Sequence, residues 1–446
     1  MEKEFETLEL GSKRLERRFK VAVSDLSEHP EESIWLASGS RANAKAVYRM
    51  LGNERLDKEG ILAAHRNTVC ERNEEKILLA IQDTMCVNYD THGMTEGLGY
   101  NCEQSLGLNV HSCLYVTPQG IPIGLAAQSA LTRLTKSDER SHHEKRMRNI
   151  EEKESFRWLQ TMREAAQNAP ANVKLVHIAD REGDIYELYA AAEKTGQTFV
   201  IRAIHDRLTV GNQHMLEALD QSEIKGSVNI LVPENHNKHT KERHAVLQLR
   251  YMSLQIRKPQ IRNTNKELAD SLTLNLISLK ETDPPNGQGP IEWLLMTNFE
   301  LNSYDQVLRV IEYYRQRWKI ERFHFVLKSG CEIEKIQQHS VDRIELMILM
   351  YSIISIHIMQ LTYIARCFPD TPCSLIFSEN EWKTLYRAAK LTTIVPDMPY
   401  SMADAANFVA ILGGRTAAPS DGPPGLKVIW LGLNALFLLN HYRDYI

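Results

Sequence analysis

Residues 173–186 read Val173-Lys174-Leu175-Val176-His177-Ile178-Ala179-Asp180-Arg181-Glu182-Gly183-Asp184-Ile185-Tyr186. The short apolar run, with an acid and a turn behind it, predicts a buried strand ending at Asp180. The chain then turns into a helix over Tyr186 to Lys194, and Thr198-Phe199-Val200-Ile201-Arg202 is the next strand. Upstream, Lys76-Ile77-Leu78-Leu79-Ala80-Ile81-Gln82-Asp83-Thr84 predicts another buried strand, ending in Asp83. Two strand-like runs follow at 107–117 and 121–131, and a charged stretch, 134–155, leads into a helix over 151–168.

The order is three strands, a helix, a strand, a helix and a strand, and after a long insertion a further helix that carries Glu321. That is the order of a ribonuclease H-like α/β fold, in which a first-strand acid, a fourth-strand acid and a helix acid converge. The expected architecture is an α/β core of this type, interrupted by a β-rich insertion and flanked by helical N-terminal and C-terminal regions. The expected boundaries are 1–70 for a helical DNA-binding domain, 71–206 and 290–340 for the two parts of the core, 207–289 for the insertion and 341–446 for a helical end with a possible dimer contact.

The late helix reads Tyr313-Tyr314-Arg315-Gln316-Arg317-Trp318-Lys319-Ile320-Glu321-Arg322-Phe323-His324-Phe325-Val326-Leu327-Lys328, with Ser303 as N-cap and Gly330 as stop. At about 100° per residue, Tyr314, Arg317, Glu321 and Lys328 share a stripe roughly 60° wide, while Ile320, Phe323 and Leu327 supply a core face. Such a stripe can bind a metal ion and grip phosphates, since Arg offers a fork to phosphate oxygens and Lys a point charge. Taken alone, it reads more readily as a solvated face with ordinary ion pairs, and the rest of the chain reverses that.

Composition sets the bounds. The 446 residues are 43% hydrophobic and 25% charged, an ordinary globular balance with room for more than one domain. A net charge of −4 excludes a global basic signature, so any nucleic-acid surface must be local. The seven cysteines are scattered without a CxxC, which predicts free thiols in a reducing compartment and argues against a zinc site. The charged N-terminus does not read as a signal peptide. The apolar run from Leu346 to Ala365 is long enough to span a bilayer. It holds Ser352, Ser355, His357, Gln360 and Thr362, and reads as a buried helix, so no membrane is expected.

Two local basic features stand out. The helix after Gly39-Ser40 places Arg41, Lys45, Tyr48 and Arg49 at helical spacing, downstream of a basic cluster at Lys13 to Lys20. A loop-capped basic helix with an aromatic suits a DNA backbone, or is simply solvated. In the insertion, seven Lys or Arg and one acid lie between His236 and Arg262. This is consistent with phosphate contact or with an exposed hairpin.

Three carboxylates brought together would raise one another's pKa unless cations sit between them. Mg²⁺, which takes oxygen ligands, fits Asp83, Asp180 and Glu321, and two such ions suit phosphodiester cleavage. Mn²⁺ is expected to substitute.

At these motifs the chain resembles the bacterial insertion-sequence DDE transposases of the IS-four family, in the subgroup of the Tn-five transposase. Tyr314-x2-Arg317-x3-Glu321-x6-Lys328 matches that family's signature, Asp180-Arg181-Glu182-Gly183-Asp184 its second-Asp motif, and Ile81-Gln82-Asp83-Thr84 its first. Gly39-Ser40-Arg41-Ala42 with Tyr48-Arg49 resembles its DNA-binding domain, and Trp293-Leu294-Leu295-Met296-Thr297-Asn298 the segment before the signature helix. The resemblance implies a cut-and-paste transposase. Asp83, Asp180 and Glu321 would hold the metals. Tyr314, Arg317, Lys328 and Arg202 would grip phosphates at the transposon end. Trp293 would stack on a flipped base, or else be a core tryptophan. Asp184 is expected to be a helix N-terminal charge rather than a ligand. The implied partners are double-stranded DNA, as terminal inverted repeats and target, and a second copy of the chain in a synaptic complex, in the bacterial cytoplasm near the nucleoid. Rival readings are a metal-dependent nuclease that cuts without joining and a DNA-binding repressor without chemistry.

Overall fold

The computed structural model describes residues 1–136, 140–232, 241–260, 268–285, 287–416 and 422–442. The chain opens with helices α1 (Lys13–Glu28), α2 (Ile34–Ala37), α3 (Arg41–Leu51) and α4 (Lys58–Arg72). Ser12, Ser33, Ser40 and Asp57 cap them, each side chain accepting a backbone N–H of the first turn. Glu4 anchors this unit. Its carboxylate is buried 2.6 Å from His65 Nδ1, 2.8 Å from Arg72 and 3.1 Å from His357, far along the chain. Burial alone would raise its pKa, but His357 and His65 hold it well below the usual carboxylate range.

The core strands are β1 (Ile77–Asn88), β2 (Gly99–Tyr100), β3 (Leu106–Val116) and β4 (Pro122–Leu131). After α5 (His142–Met147) and α6 (Phe156–Gln167) come β5 (Lys174–Ala179), α7 (Tyr186–Thr195) and β6 (Thr198–Arg202). β3 runs antiparallel to β1 and β4, whereas β5 is parallel to β1 and β6. The central order β4-β3-β1-β5-β6 is that of a ribonuclease H-like core. β1 does not stop at Asp83 as the sequence suggested. Five more residues stay paired with β3, out to Asn88 opposite Gly107. The helix expected from residue 151 starts at Phe156, behind a 3-10 turn over Ile150–Glu152.

The insertion continues the same sheet. Beyond α8 (Met215–Asp220), strands β7 (Gly226–Val232), β8 (Arg243–Arg257) and β9 (Ser271–Glu281) form an antiparallel ribbon, and β10 (Glu292–Thr297) joins β9 to β6. Alternating burial along β8, with Ala245, Leu247 and Leu249 inward, fits a ribbon with one covered face.

The expected signature helix is two helices. α9 (Tyr304–Arg315) starts at a capping box on Ser303 and Gln306, and α10 (Trp318–Phe325) comes after a tight turn. That turn is made of bonds such as Arg317 N–H to Tyr314 O, 2.9 Å. A π-turn over Val326–Gly330 ends it, closed by Cys331 N–H to Val326 O at 2.9 Å. Each departure from 3.6 residues per turn rotates the downstream residues about the helix axis, so the stripe is not straight.

α11 (Val341–Cys367) is long and apolar enough to cross a membrane by length and composition. Most of its surface, Ile344 through Tyr363, is buried against the sheet and its neighbours. α12 (Glu379–Lys390), α13 (Met402–Leu412) and α14 (Leu426–Tyr442) pack into a satellite core around Trp382, Leu385, Val409 and Ile429. Cys86 of β1 and Cys102 lie side by side, with Cα atoms 6.2 Å apart. Sixteen residues separate them in sequence. Only the fold-back of the chain from β1 to β3 brings them together.

Candidate active site and nucleic-acid interface

The register that sets Ile81 beside Ile178, carried two residues further, sets Asp83 beside Asp180. Asp83 lies within β1 and accepts the N–H of Thr84 at 2.8 Å. Asp180 caps a 3-10 turn over Arg181–Gly183, its Oδ1 accepting the N–H of Glu182 at 2.9 Å. The turn must be tight, since a Cβ on Gly183 would come 2.6 Å from that of Ala179. Burial, and then the charge of Asp180, push the Asp83 carboxyl up to about 7, against the pull of the Thr84 N–H and of Arg317.

α10 packs across β1. Glu321 on this helix accepts Arg317 Nη2 at 2.6 Å. Among the described residues, no three His, Cys, Asp or Glu side chains are gathered to hold a metal ion. The structure thus brings Asp83 and Asp180 together and sets Glu321 on the covering helix, joined to Arg317. The donor chemistry suits a hard divalent cation. Two adjacent carboxylates, one of them raised by burial and then by its neighbour's charge, offer the oxygen donors that a hard divalent cation takes.

A cationic and aromatic wall adjoins the pair. Tyr314 is buried at 4% exposure, its ring edge-on to Trp293 with centroids 5.6 Å apart. Burial raises the Tyr314 hydroxyl above its usual pKa, with Arg317 and Arg202 opposing. Arg202 lies opposite Leu295 in the β6–β10 pairing and donates to Glu292 O at 2.7 Å. Burial lowers its pKa, and the neighbouring charges of Arg181 and Arg317 add to the effect. Trp293 is half-buried, packed on the core at one side. Lys328 reaches Glu334 at 3.1 Å. Asp184 is more than a helix-end charge. Its buried carboxylate meets Arg207 and accepts Tyr189 Oη–H and the N–H groups of Ile204 and His205. It fastens the turn to the start of the insertion.

Sequence reasoning missed the other face of β1. Thr84 Oγ1 lies 2.8 Å from His111 Nδ1 and accepts Arg157 Nε–H at 3.0 Å. His111 Nε2 is 3.1 Å from Gln82 Oε1. No spacing rule announces these residues, which come from β1, β3 and α6.

In the N-terminal unit, Arg41, Lys45, Tyr48 and Arg49 are all exposed on α3. Arg49 lines a groove of about 810 Å³ with Lys13, Arg14, Arg17 and Arg18 of α1. Tyr48 faces elsewhere, into a cavity of about 270 Å³ shared with Gln338 and Tyr351. The insertion's basic residues are largely occupied. Arg243 meets Glu281, Lys258 meets Asp270 at 2.9 Å, and Arg257 donates to Asn212 at 2.8 Å. Lys238 and Arg262 lie outside the described residues.

Comparison with known proteins finds two family models and a solved structure. Residues 1–56 match the family model described as transposase DNA-binding, and residues 149–356 match that of the transposase DDE domain. Among solved structures, the chain is similar to a piggyBac transposase in a synaptic complex with hairpin DNA, at 10% identity and a TM-score of 0.36. The match covers 77% of this chain and 62% of that one. The two family matches cover the N-terminal helices α1 to α3 and the stretch from just before α6 into α11.

Proposed function

We propose that the protein is a cut-and-paste DNA transposase that binds terminal inverted repeats, cleaves at the transposon ends and transfers the 3′ ends to target DNA. The observation that carries this is the closeness of Asp83 to Asp180, whose charge acts on it, beside a helix that presents Arg317 and Glu321.

Asp83, Asp180 and Glu321 would hold the divalent metal, as Mg²⁺ or Mn²⁺ and as a pair of ions. A bound metal would activate a water or 3′-hydroxyl and neutralise charge at the leaving oxygen. The chain's own part is positioning and charge. Arg317 exchanges Glu321 for a phosphate oxygen, freeing the carboxylate as the DNA arrives. Arg202 and the Tyr314 hydroxyl flank the same position. Lys328, a point charge within the π-turn, takes a neighbouring phosphate in place of Glu334. Trp293 offers a half-exposed face to an unstacked base. Stacking there would offset part of the cost of a tight hairpin at the cut end.

The α1–α3 groove, with Arg14, Arg17, Arg18 and Arg49, is the surface for the inverted repeat, with Arg41 and Lys45 along its helix. Two subunits would synapse two ends, inside the cell where the DNA lies. The test is a strand-transfer assay with pre-cleaved end DNA and a target plasmid. Joined products support transposition. Cutting without joining supports the nuclease, and binding alone the repressor.

A further inference from the structure

We infer that Arg157, which no motif marks, is the positioning residue that fixes Asp83 and Asp180 relative to each other and keeps Glu182 out of their metal site. The inference rests on the phosphodiester chemistry proposed above. In β1, Gln82 and Thr84 point to the face opposite Asp83, because successive side chains alternate. On that face Arg157, in the first turn of α6, donates Nε–H to Thr84 Oγ1 at 3.0 Å. Burial holds His111 well below its usual pKa, so its ring is neutral and carries one proton. With the acceptor Gln82 Oε1 facing Nε2, Nδ1 is the bare nitrogen, and the Thr84 hydroxyl donates to it, 2.8 Å away. The ring proton is then on Nε2, facing Gln82 Oε1 at 3.1 Å. The bonds run in one direction from Arg157 through Thr84 and His111 to Gln82 Oε1, and both neighbours of Asp83 in the strand are held. Trp158 closes the site edge-on to His111 at 4.7 Å.

The second arm of the same guanidinium reaches Glu182, in the turn that Asp180 caps. Arg157 Nη2 donates to Glu182 Oε2 at 2.8 Å, and Glu182 N–H donates to Asp180 Oδ1 at 2.9 Å. Nη1 is braced on Glu154 O at 2.9 Å. The arginine side chain is 13% exposed, so the fork is held in place rather than waving in solvent. Glu182 is a third acid near the pair, close enough for its charge to act on Asp83. Arg157 occupies it, and so selects which carboxylates remain for the cation. Lys could supply the charge but not the planar fork that spans Thr84, Glu154 and Glu182.

The test uses the full-length protein and compares wild type, Arg157→Ala, Thr84→Val and Asp83→Asn. Mn²⁺ affinity is measured by calorimetry without DNA, inverted-repeat binding by mobility shift in chelator, and cleavage in Mn²⁺. Loss of a partner that orients a metal ligand costs about 10–100-fold in metal affinity or activity. Arg157→Ala is therefore expected to weaken Mn²⁺ binding and cleavage by that factor and leave end binding unchanged. Thr84→Val, close to the same volume, should move in the same direction by less. Wild-type Mn²⁺ affinity in both variants would overturn the inference while the proposed function stands. If Arg157→Ala also loses end binding, its fold has failed, and Thr84→Val alone decides. A wild-type protein that neither binds Mn²⁺ nor cuts would overturn the proposed function and this inference with it.

Discussion

Asp184 sits four residues beyond Asp180, and an acid there could be taken for a further metal ligand. The structure assigns it to folding, and Asp184→Asn tests that. The carboxylate is fully buried and Arg207 is 8% exposed, with bonds of 2.7 Å from Tyr189 Oη–H, 2.7 Å from Ile204 N–H and 2.9 Å from His205 N–H. Removing one partner of such a pair leaves a buried charge uncompensated and costs about 3–5 kcal/mol. Asparagine keeps one acceptor oxygen, so the lower end of that range is expected. Urea unfolding followed by tryptophan fluorescence measures it, with Arg207→Met as the companion and the double variant closing the cycle. The pH dependence has a definite sign. Burial would raise the Asp184 pKa, but Arg207 and the backbone N–H groups overcome it and hold it below the usual range. A depressed folded value contributes stability that is complete above the unfolded value near 4 and is lost as pH falls through the folded one. The gap between wild type and Asp184→Asn should be constant at neutral pH and close below about pH 4. Metal-dependent cleavage should persist in the variant wherever it is folded. A variant as stable as wild type, yet stripped of metal affinity, would refute the reasoning and make Asp184 a ligand.

Other expectations concern the DNA. Arg14→Ala and Arg49→Ala should each lower the salt slope of inverted-repeat binding by about one, whereas Lys258→Ala, already paired with Asp270, should change it less. Lys328→Ala should weaken end binding across all sequences, and Glu334→Gln, which releases Lys328, should strengthen it. Mobility shifts at several salt concentrations measure both. Trp293→Ala should suppress the signal of 2-aminopurine placed at the cut end, and Trp293→Phe should largely keep it. A wild-type signal in the alanine variant would make Trp293 a core residue only.

Much of the core was legible because it is local. Buried strands show as short apolar runs, so β3, β4, β5 and β6 fall within a residue or two of their sequence positions. Asp83 and Asp180 could be singled out because acids at the ends of such runs are conspicuous. The features hidden from sequence depend on pairing or on small changes of helical phase. Nothing in residues 85–88 says that β1 continues, since that depends on the length of β3 beside it. The turn at Gln316–Arg317 and the π-turn at Val326–Gly330 cost no breaker residue before Gly330, so a single helix was the simplest reading. The insertion's basic count suggested a DNA surface, but sequence alone could not show that Arg243, Arg257 and Lys258 have partners across the ribbon. Arg157, Thr84 and His111 are ordinary residues until three elements meet. The Cys86–Cys102 pair has no spacing signal at all.

The most direct test of the central claim is cleavage of a duplex carrying the inverted repeat and its flank, with Mg²⁺, with Mn²⁺ and with chelator. The account predicts metal-dependent cuts at the repeat boundary that disappear in Asp83→Asn, Asp180→Asn and Glu321→Gln while each variant still binds the repeat. Specific binding without cutting in any metal, or cutting that survives all three substitutions, would contradict it.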